Sequence, residues 1–138
     1  AKTLRIETSR GVICTGENIG KSKLKLINYI KNTPKDSVIV VYPESLAVNF
    51  LSERQSDNKF YSLIPLYVET FGEDNIIGRL SKFPPDYIII NNFNTFAYGY
   101  KFFGKDYANR ILKYIQDNYE LQQESDSDNL IYKKVKNY

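Results

Sequence analysis

The stretch SVIVVY, Ser37 to Tyr42, sets four apolar β-branched residues in a row ahead of Pro43-Glu44. A run without alternation leaves neither side of its strand to water, which is how strands read in parallel sheets covered on both faces. A second run of the same character, DYIIIN, stands at Asp86 to Asn91 and begins just after Pro84-Pro85. Two such strands, with helical periodicity between them, predict an α/β sheet.

Upstream, TLRIET (Thr3 to Thr8) alternates apolar and polar residues and predicts a strand, Gly11 breaks it, and VICT predicts a second. From Gly20 to Asn32, Leu24, Ile27 and Ile30 share one helical face, and Thr33-Pro34 ends the helix because the residue before proline is pushed out of αR. Between the two apolar runs, SLAVNFLSER predicts a helix with Ala47, Phe50 and Leu51 inward, and Gln55 to Lys59 a polar loop. Tyr61 to Phe71 reads as partly extended, with Pro65 excluding a central strand. GEDNIIGRLSKF predicts a short helix whose acids open it and whose Lys82 closes it, in agreement with the helix dipole.

After the second run comes an aromatic, glycine-containing loop, NFNTFAYGYKFFGK. Asp106 is then expected to cap a helix, YANRILKYIQDNY, with Tyr107, Ile111, Leu112 and Ile115 inward. YELQQ and LIYKKVKNY flank the turn-rich ESDSDN and predict an antiparallel hairpin. The expected architecture is one α/β domain over residues 1–138. It has a three-layer, mostly parallel, Rossmann-like sheet, flanked by about four helices, with antiparallel edge strands or a C-terminal hairpin.

Composition narrows the chemistry. The chain has 138 residues, one cysteine (Cys14), no histidine and no methionine. Without histidine there is no Ser-His-Asp or Cys-His catalysis and no His-ligated zinc, and one cysteine makes no internal disulfide and no cysteine metal site. No metal and no cofactor is expected. The net charge of +3 is interspersed, and the clusters KSKLK and KKVK alternate with apolar residues as on a wetted helix or strand face. That pattern does not predict a nucleic-acid partner. No apolar run approaches the ~20 residues of a membrane span, and no signal peptide is visible. The missing initiator methionine gives the expectation of a piece excised from a longer chain.

ICTGENIGKSKLKLINYI, Ile13 to Ile30, runs from a strand through Gly-Lys-Ser into a helix, the setting of a phosphate-binding P-loop. The spacing is wrong. A P-loop needs four residues between its first glycine and Gly-Lys-Ser/Thr, so that backbone N–H groups close around a phosphate; only Glu17, Asn18 and Ile19 separate Gly16 from Gly20. At the required distance stands Thr15, Glu17 would bring negative charge, and neither apolar run ends in the aspartate that helps hold Mg²⁺. A P-loop NTPase is therefore not expected.

In an open α/β sheet, ligands bind beyond the carboxyl ends of the strands. Glu44 follows one run, and Asn91 and Asn92 end the other, so these three are expected at a site edge beside the aromatic loop. Tyr98, Tyr100 and Asp106 offer ring faces and a carboxylate suited to sugar-like ligands. Nothing fixes a separation between Glu44 and Asp106, so no catalytic pair is assigned.

From Lys82 to Leu121, KFPPDYIIINNFNTFAYGYKFFGKDYANRILKYIQDNYEL resembles the soluble C-terminal domain of bacterial polytopic membrane glycosyltransferases related to the dolichyl-phosphate-mannose protein mannosyltransferases. Pro84-Pro85-Asp86-Tyr87, Tyr98-Gly99, Phe103-Gly104, Asp106-Tyr107 and Asn118-Tyr119 carry the likeness. TSRG, NTPKDSVIVVYPES, NFLSER and FGEDNIIGRL precede them in order. The chain departs from the pattern after YIIIN, where a histidine or aspartate is expected and Asn91 and Asn92 stand.

The resemblance implies a non-catalytic domain on the extracytoplasmic (periplasmic) side of the bacterial inner membrane. Its partner would be the transmembrane part of the parent protein, which transfers a sugar from a polyprenyl-phosphate donor, while this domain assists in positioning glycan or acceptor. It carries over no catalytic residue. A stand-alone carbohydrate or small-ligand binding module is the alternative, and a nucleotide-binding protein the less favoured one.

Overall fold

Both apolar runs form strands, and they are neighbours. In the computed structural model, which describes residues 2–57, 59–99 and 102–136, the chain opens with β1 (Thr3–Thr8), β2 (Gly11–Gly16) and α1 (Glu17–Lys31). β3 (Ile39–Tyr42), α2 (Leu46–Ser52), α3 (Pro65–Phe71), α4 (Glu73–Lys82) and β4 (Tyr87–Asn91) follow. After a 3₁₀ turn, Phe96–Tyr98, come α5 (Asn109–Asn118), β5 (Tyr119–Leu121) and β6 (Asn129–Lys134).

The topology corrects the expected three-layer, mostly parallel, Rossmann-like sheet. β1 and β2 form a separate two-stranded antiparallel sheet, and the main sheet has four strands in the order β3-β4-β6-β5. Only β3 and β4 are parallel; β6 runs antiparallel to both β4 and β5. The described residues hold a single β-α-β crossover, from β3 through three helices to β4. α5 then returns it to the far side, and the β5–β6 hairpin lays β6 against β4 from the opposite direction. An apolar run records burial on both faces; the direction of the next strand is set by its connection.

Burial on both faces has visible causes. Val40, Tyr42, Ile88, Ile90 and Tyr132 point to one side, against Leu63, Val68, Ile76, Leu80, Ile111 and Ile115. Ile39, Val41, Tyr87, Ile89 and Ile131 point to the other, against Ile6, Ile27, Ile30, Val48 and Leu51. β3 lies at the sheet edge, yet flanking segments cover it: the Ile39 N–H donates to the Gln55 carbonyl at 2.8 Å and the Leu63 N–H to the Pro43 carbonyl at 2.7 Å.

Several local expectations are redrawn. α1 starts at Glu17 and buries Gly20, Leu26, Ile27 and Ile30, leaving Leu24 exposed. α2 buries Val48, Asn49, Leu51 and Ser52, while Ala47 and Phe50 face water. Its inward polar residues are satisfied locally: Asn49 Nδ2 donates to the Ile39 carbonyl at 2.7 Å and Ser52 Oγ to the Val48 carbonyl at 2.6 Å. Part of Tyr61 to Phe71 is helix, because Pro65 sits in its first turn, where a missing N–H is harmless. Asp106 does not cap α5. Ala108 holds the cap position at φ 56°, and Glu73 Oε1 of α4 accepts the Arg110 and Ile111 N–H groups at 3.1 and 3.2 Å.

Gly20 explains how the hairpin docks. A Cβ there would lie 2.9 Å from Leu4 Cβ and 3.0 Å from Thr15 Cγ2, so α1 touches the β1–β2 sheet through a bare backbone. Gly20→Ala is expected to destabilise the protein by about 1–2 kcal/mol: overpacking costs about 1–3 kcal/mol, partly offset by the better helix propensity of alanine. Urea unfolding followed by far-UV circular dichroism measures it, and a stabilised variant would refute the tight contact.

Candidate functional site

Side-chain parity builds the site. Along β4, Tyr87 and Ile89 point to the α1–α2 side, and so does Asn91. Along β6 the same parity joins Ile131 to Asn129, and the register pairs Asn129 directly with Asn91. Two amides thus take the last row of this face, beyond the apolar Ile89–Ile131 pair, at the carboxyl end of β4.

Above this row opens a cleft of about 380 Å³. Asn18, Ile19 and Ser22 of α1 form one wall, and Asn92 and Phe93, just beyond β4, form another. Ser45 and Val48 close the side at the start of α2. Five of the lining residues are asparagines, and Lys23 and Asp128 are the charged ones. The volume lies within the roughly 300–1,000 Å³ of small-ligand sites.

Hydrogen bonds fix parts of the wall. Asn129 Nδ2 donates to Ser22 Oγ at 3.0 Å, tying β6 to α1. One turn further along α1, Lys25 Nζ donates to Asp126 Oδ2 at 2.7 Å. That hydrogen bond, with those from the Asn129 and Asp128 N–H groups, holds the Asp126 carboxyl below its ordinary range. A second hollow of about 220 Å³ lies beyond these contacts and shares Leu26 and Asn129 with the first. Asn91 Nδ2 donates to the Glu44 carbonyl at 3.3 Å, which joins the ends of β4 and β3. Asn91 Oδ1 is buried and accepts no hydrogen bond.

Of the residues singled out in the sequence, Asn91 and Asn92 line the cleft; Glu44 does not line it, but is exposed and accepts the Asn91 Nδ2 hydrogen bond at its carbonyl. Tyr98 ends the 3₁₀ turn, half exposed, and does not line the cleft. Asp106 does not line it either; its Oδ2 accepts the Phe102 N–H at 2.9 Å, inside a tight turn. That turn belongs to the other side of the sheet, where Phe103 packs against Tyr42 with ring centroids 5.6 Å apart. Tyr100 lies outside the described residues. On the same side burial pushes the Tyr107 phenol up to about 12, against a hydrogen bond from Thr95.

Asn18, Ser22, Asn129 and Asp128 were not singled out. Asn129 had no periodic signal, since its face of β6 also carries Lys133. Asn18 and Ser22 lie in the stretch compared with a P-loop. From Glu17 onward that stretch is helix, and Lys21 Nζ pairs with Glu17 Oε1 at 2.9 Å, so its N–H groups form no ring for a phosphate.

Among the described residues, no group of three or more His, Cys, Asp or Glu is placed to hold a metal ion, and no helix is long and apolar enough to cross a membrane. Comparison with protein-family models, curated proteins and solved structures finds no match to this chain.

Proposed function

We propose that this chain is a non-catalytic, extracytoplasmic domain of a polytopic membrane glycosyltransferase. Its cleft positions glycan or acceptor, while the transmembrane part of the parent protein, its partner, transfers sugar from a polyprenyl-phosphate donor. The order of motifs from TSRG to Asn118-Tyr119 supports the parentage. The observation that carries the binding role is the amide-walled cleft at the strand ends. Each asparagine offers two donors and one acceptor, the complement of neighbouring sugar hydroxyls, and Phe93 supplies a ring for a sugar C–H face.

Titration with mono- and disaccharides, followed by ¹H–¹⁵N spectra, is expected to shift the side-chain amides of Asn91, Asn92 and Asn129, with millimolar affinity. Shifts confined to other surfaces would sink the binding role. The parentage has its own test: the reading frame upstream of Ala1 is expected to encode several apolar spans, and a frame without them leaves a stand-alone carbohydrate module.

A further inference from the structure

We infer that the cleft is the first half of a longer groove, and that its occupant is an oligosaccharide lying along α1 rather than a single sugar. The inference rests on the binding role proposed above and sets the size of the ligand. The cleft and the second hollow share Leu26 and Asn129, which are both buried and so form a floor common to the two. At about 220 Å³ the second hollow falls short of the roughly 300–1,000 Å³ of small-ligand sites, so it extends the cleft rather than standing as a site of its own. On α1, Asn18, Ser22, Leu26 and Tyr29 recur every three or four residues and line one helical face, roughly 16 Å long.

The facing wall decides what can lie there. It is built from the end of β4, from β6 and from the turn before β6, and both strands are interior to the sheet order β3-β4-β6-β5. Their backbone N–H and C=O groups are spent on neighbouring strands, so an extended peptide finds no free edge to pair with. Recognition falls to side chains, with amides and one ring in each half. Phe93 supplies the ring in the cleft and Tyr29 the ring in the second hollow, where Asn28 and Asn32 stand beside it. Tyr29 meets Tyr87 edge-on, with ring centroids 6.2 Å apart and planes at 83°, so at least one face of its ring is clear of Tyr87. Two rings flanked by amides suit successive sugars, which present C–H faces and hydroxyls in turn. The hydrogen bonds from Asn129 Nδ2 to Ser22 Oγ and from Lys25 Nζ to Asp126 Oδ2 join α1 to the β5–β6 hairpin and fix the groove's width. A groove held before binding leaves less to order when a ligand enters.

The test titrates the whole chain with glucose, mannose and N-acetylglucosamine, with their di-, tri- and tetrasaccharides, and with a blocked tetraserine peptide as the competing occupant. Affinity is expected to rise at least about tenfold from the monosaccharide to the trisaccharide of the preferred sugar, as the second ring engages. With length, ¹H–¹⁵N shifts should spread from the side-chain amide of Asn92 to those of Asn28 and Asn32. Tyr29→Leu, which keeps an apolar side chain against Tyr87, is expected to remove most of that gain. Asn28→Trp fills the second hollow from an exposed helix position and should do the same without touching the core, so it decides if Tyr29→Leu fails to fold. A gain that survives in either folded variant, or affinity independent of length in the parent chain, overturns this inference and leaves the cleft's binding role standing. Failure of the parent chain to bind any of the sugars overturns both. Tetraserine binding more tightly than the oligosaccharides overturns the glycan and gives the groove to a peptide.

Discussion

Arg54→Ala is expected to lower the unfolding free energy by about 3–5 kcal/mol, the largest loss of any single substitution considered for this chain. Arg54 is buried, and its guanidinium faces carbonyls and one hydroxyl. Nη2 donates to the Thr33 and Lys31 carbonyls at 2.7 and 3.2 Å, and Nε to Thr33 Oγ1 at 3.2 Å. Nη1 donates to the Ser52 and Glu53 carbonyls at 3.1 and 3.3 Å. Those acceptors end two different helices, α1 and α2. The negative ends of both dipoles and their orphan carbonyls therefore converge on one cation. Glu53, at φ 58°, turns the chain so that Arg54 reaches back between them.

Truncation leaves several buried carbonyls without donors and also opens a cavity, so the penalties add. Arg54→Lys keeps the charge but has no planar fork, so it can serve one helix end at a time; its loss is expected to be about half as large. Urea unfolding monitored by far-UV circular dichroism measures both variants. A deficit below about 1 kcal/mol for Arg54→Ala, the size of one ordinary hydrogen bond, would show that water or neighbouring donors replace the guanidinium.

The expected polar loop, Gln55 to Lys59, and the SER that precedes it show where the sequence was legible and where it was not. The apolar runs, the C-terminal hairpin and α4 could be read because burial writes a period into the residues. Arg54 and Asp57 carry no such period: a charged residue in a short polar segment is most often solvated, and only tertiary neighbours turn these two inward. The sheet's direction was misread for a related reason. Val38 to Val41 report contact with apolar neighbours on both sides, and helices supply that contact as well for an edge strand as for a central one. At the site, Asn91 was found because it ends a strand, but its partner Asn129 sits in a different hairpin, and only the register brings the two together. Tyr98 and Asp106 were grouped with them by loop membership; the loop carries them away from the cleft.

Asp57→Asn tests the other inward charge and is expected to cost about 2–3 kcal/mol at pH 7. The Asp57 side chain is only 4% exposed, and its Oδ1 accepts the Lys59 and Phe60 N–H groups at 2.6 and 3.1 Å. Arg79 Nε of α4 donates to Oδ2 at 3.2 Å. Together these bonds pin the segment after α2 onto α4 and set Phe60 into the core, 5.0 Å from Phe71. Burial by itself would raise the carboxyl's pKa; the two N–H groups and the Arg79 guanidinium outweigh it, so the net shift is downward from 3.8. The sign follows from that direction. The stabilisation is complete above the unfolded value of 3.8 and disappears as pH falls through the lower folded value. The amide variant never had that charge, so the gap between parent and variant should be constant from pH 7 to pH 5 and shrink below about pH 4. Other carboxylates titrate in both proteins and cancel in the difference. Urea midpoints at pH 7, 5, 4 and 3 measure the gap, and one that stays unchanged at pH 3 would mean that the Asp57 charge contributes nothing and that its shape alone holds the loop.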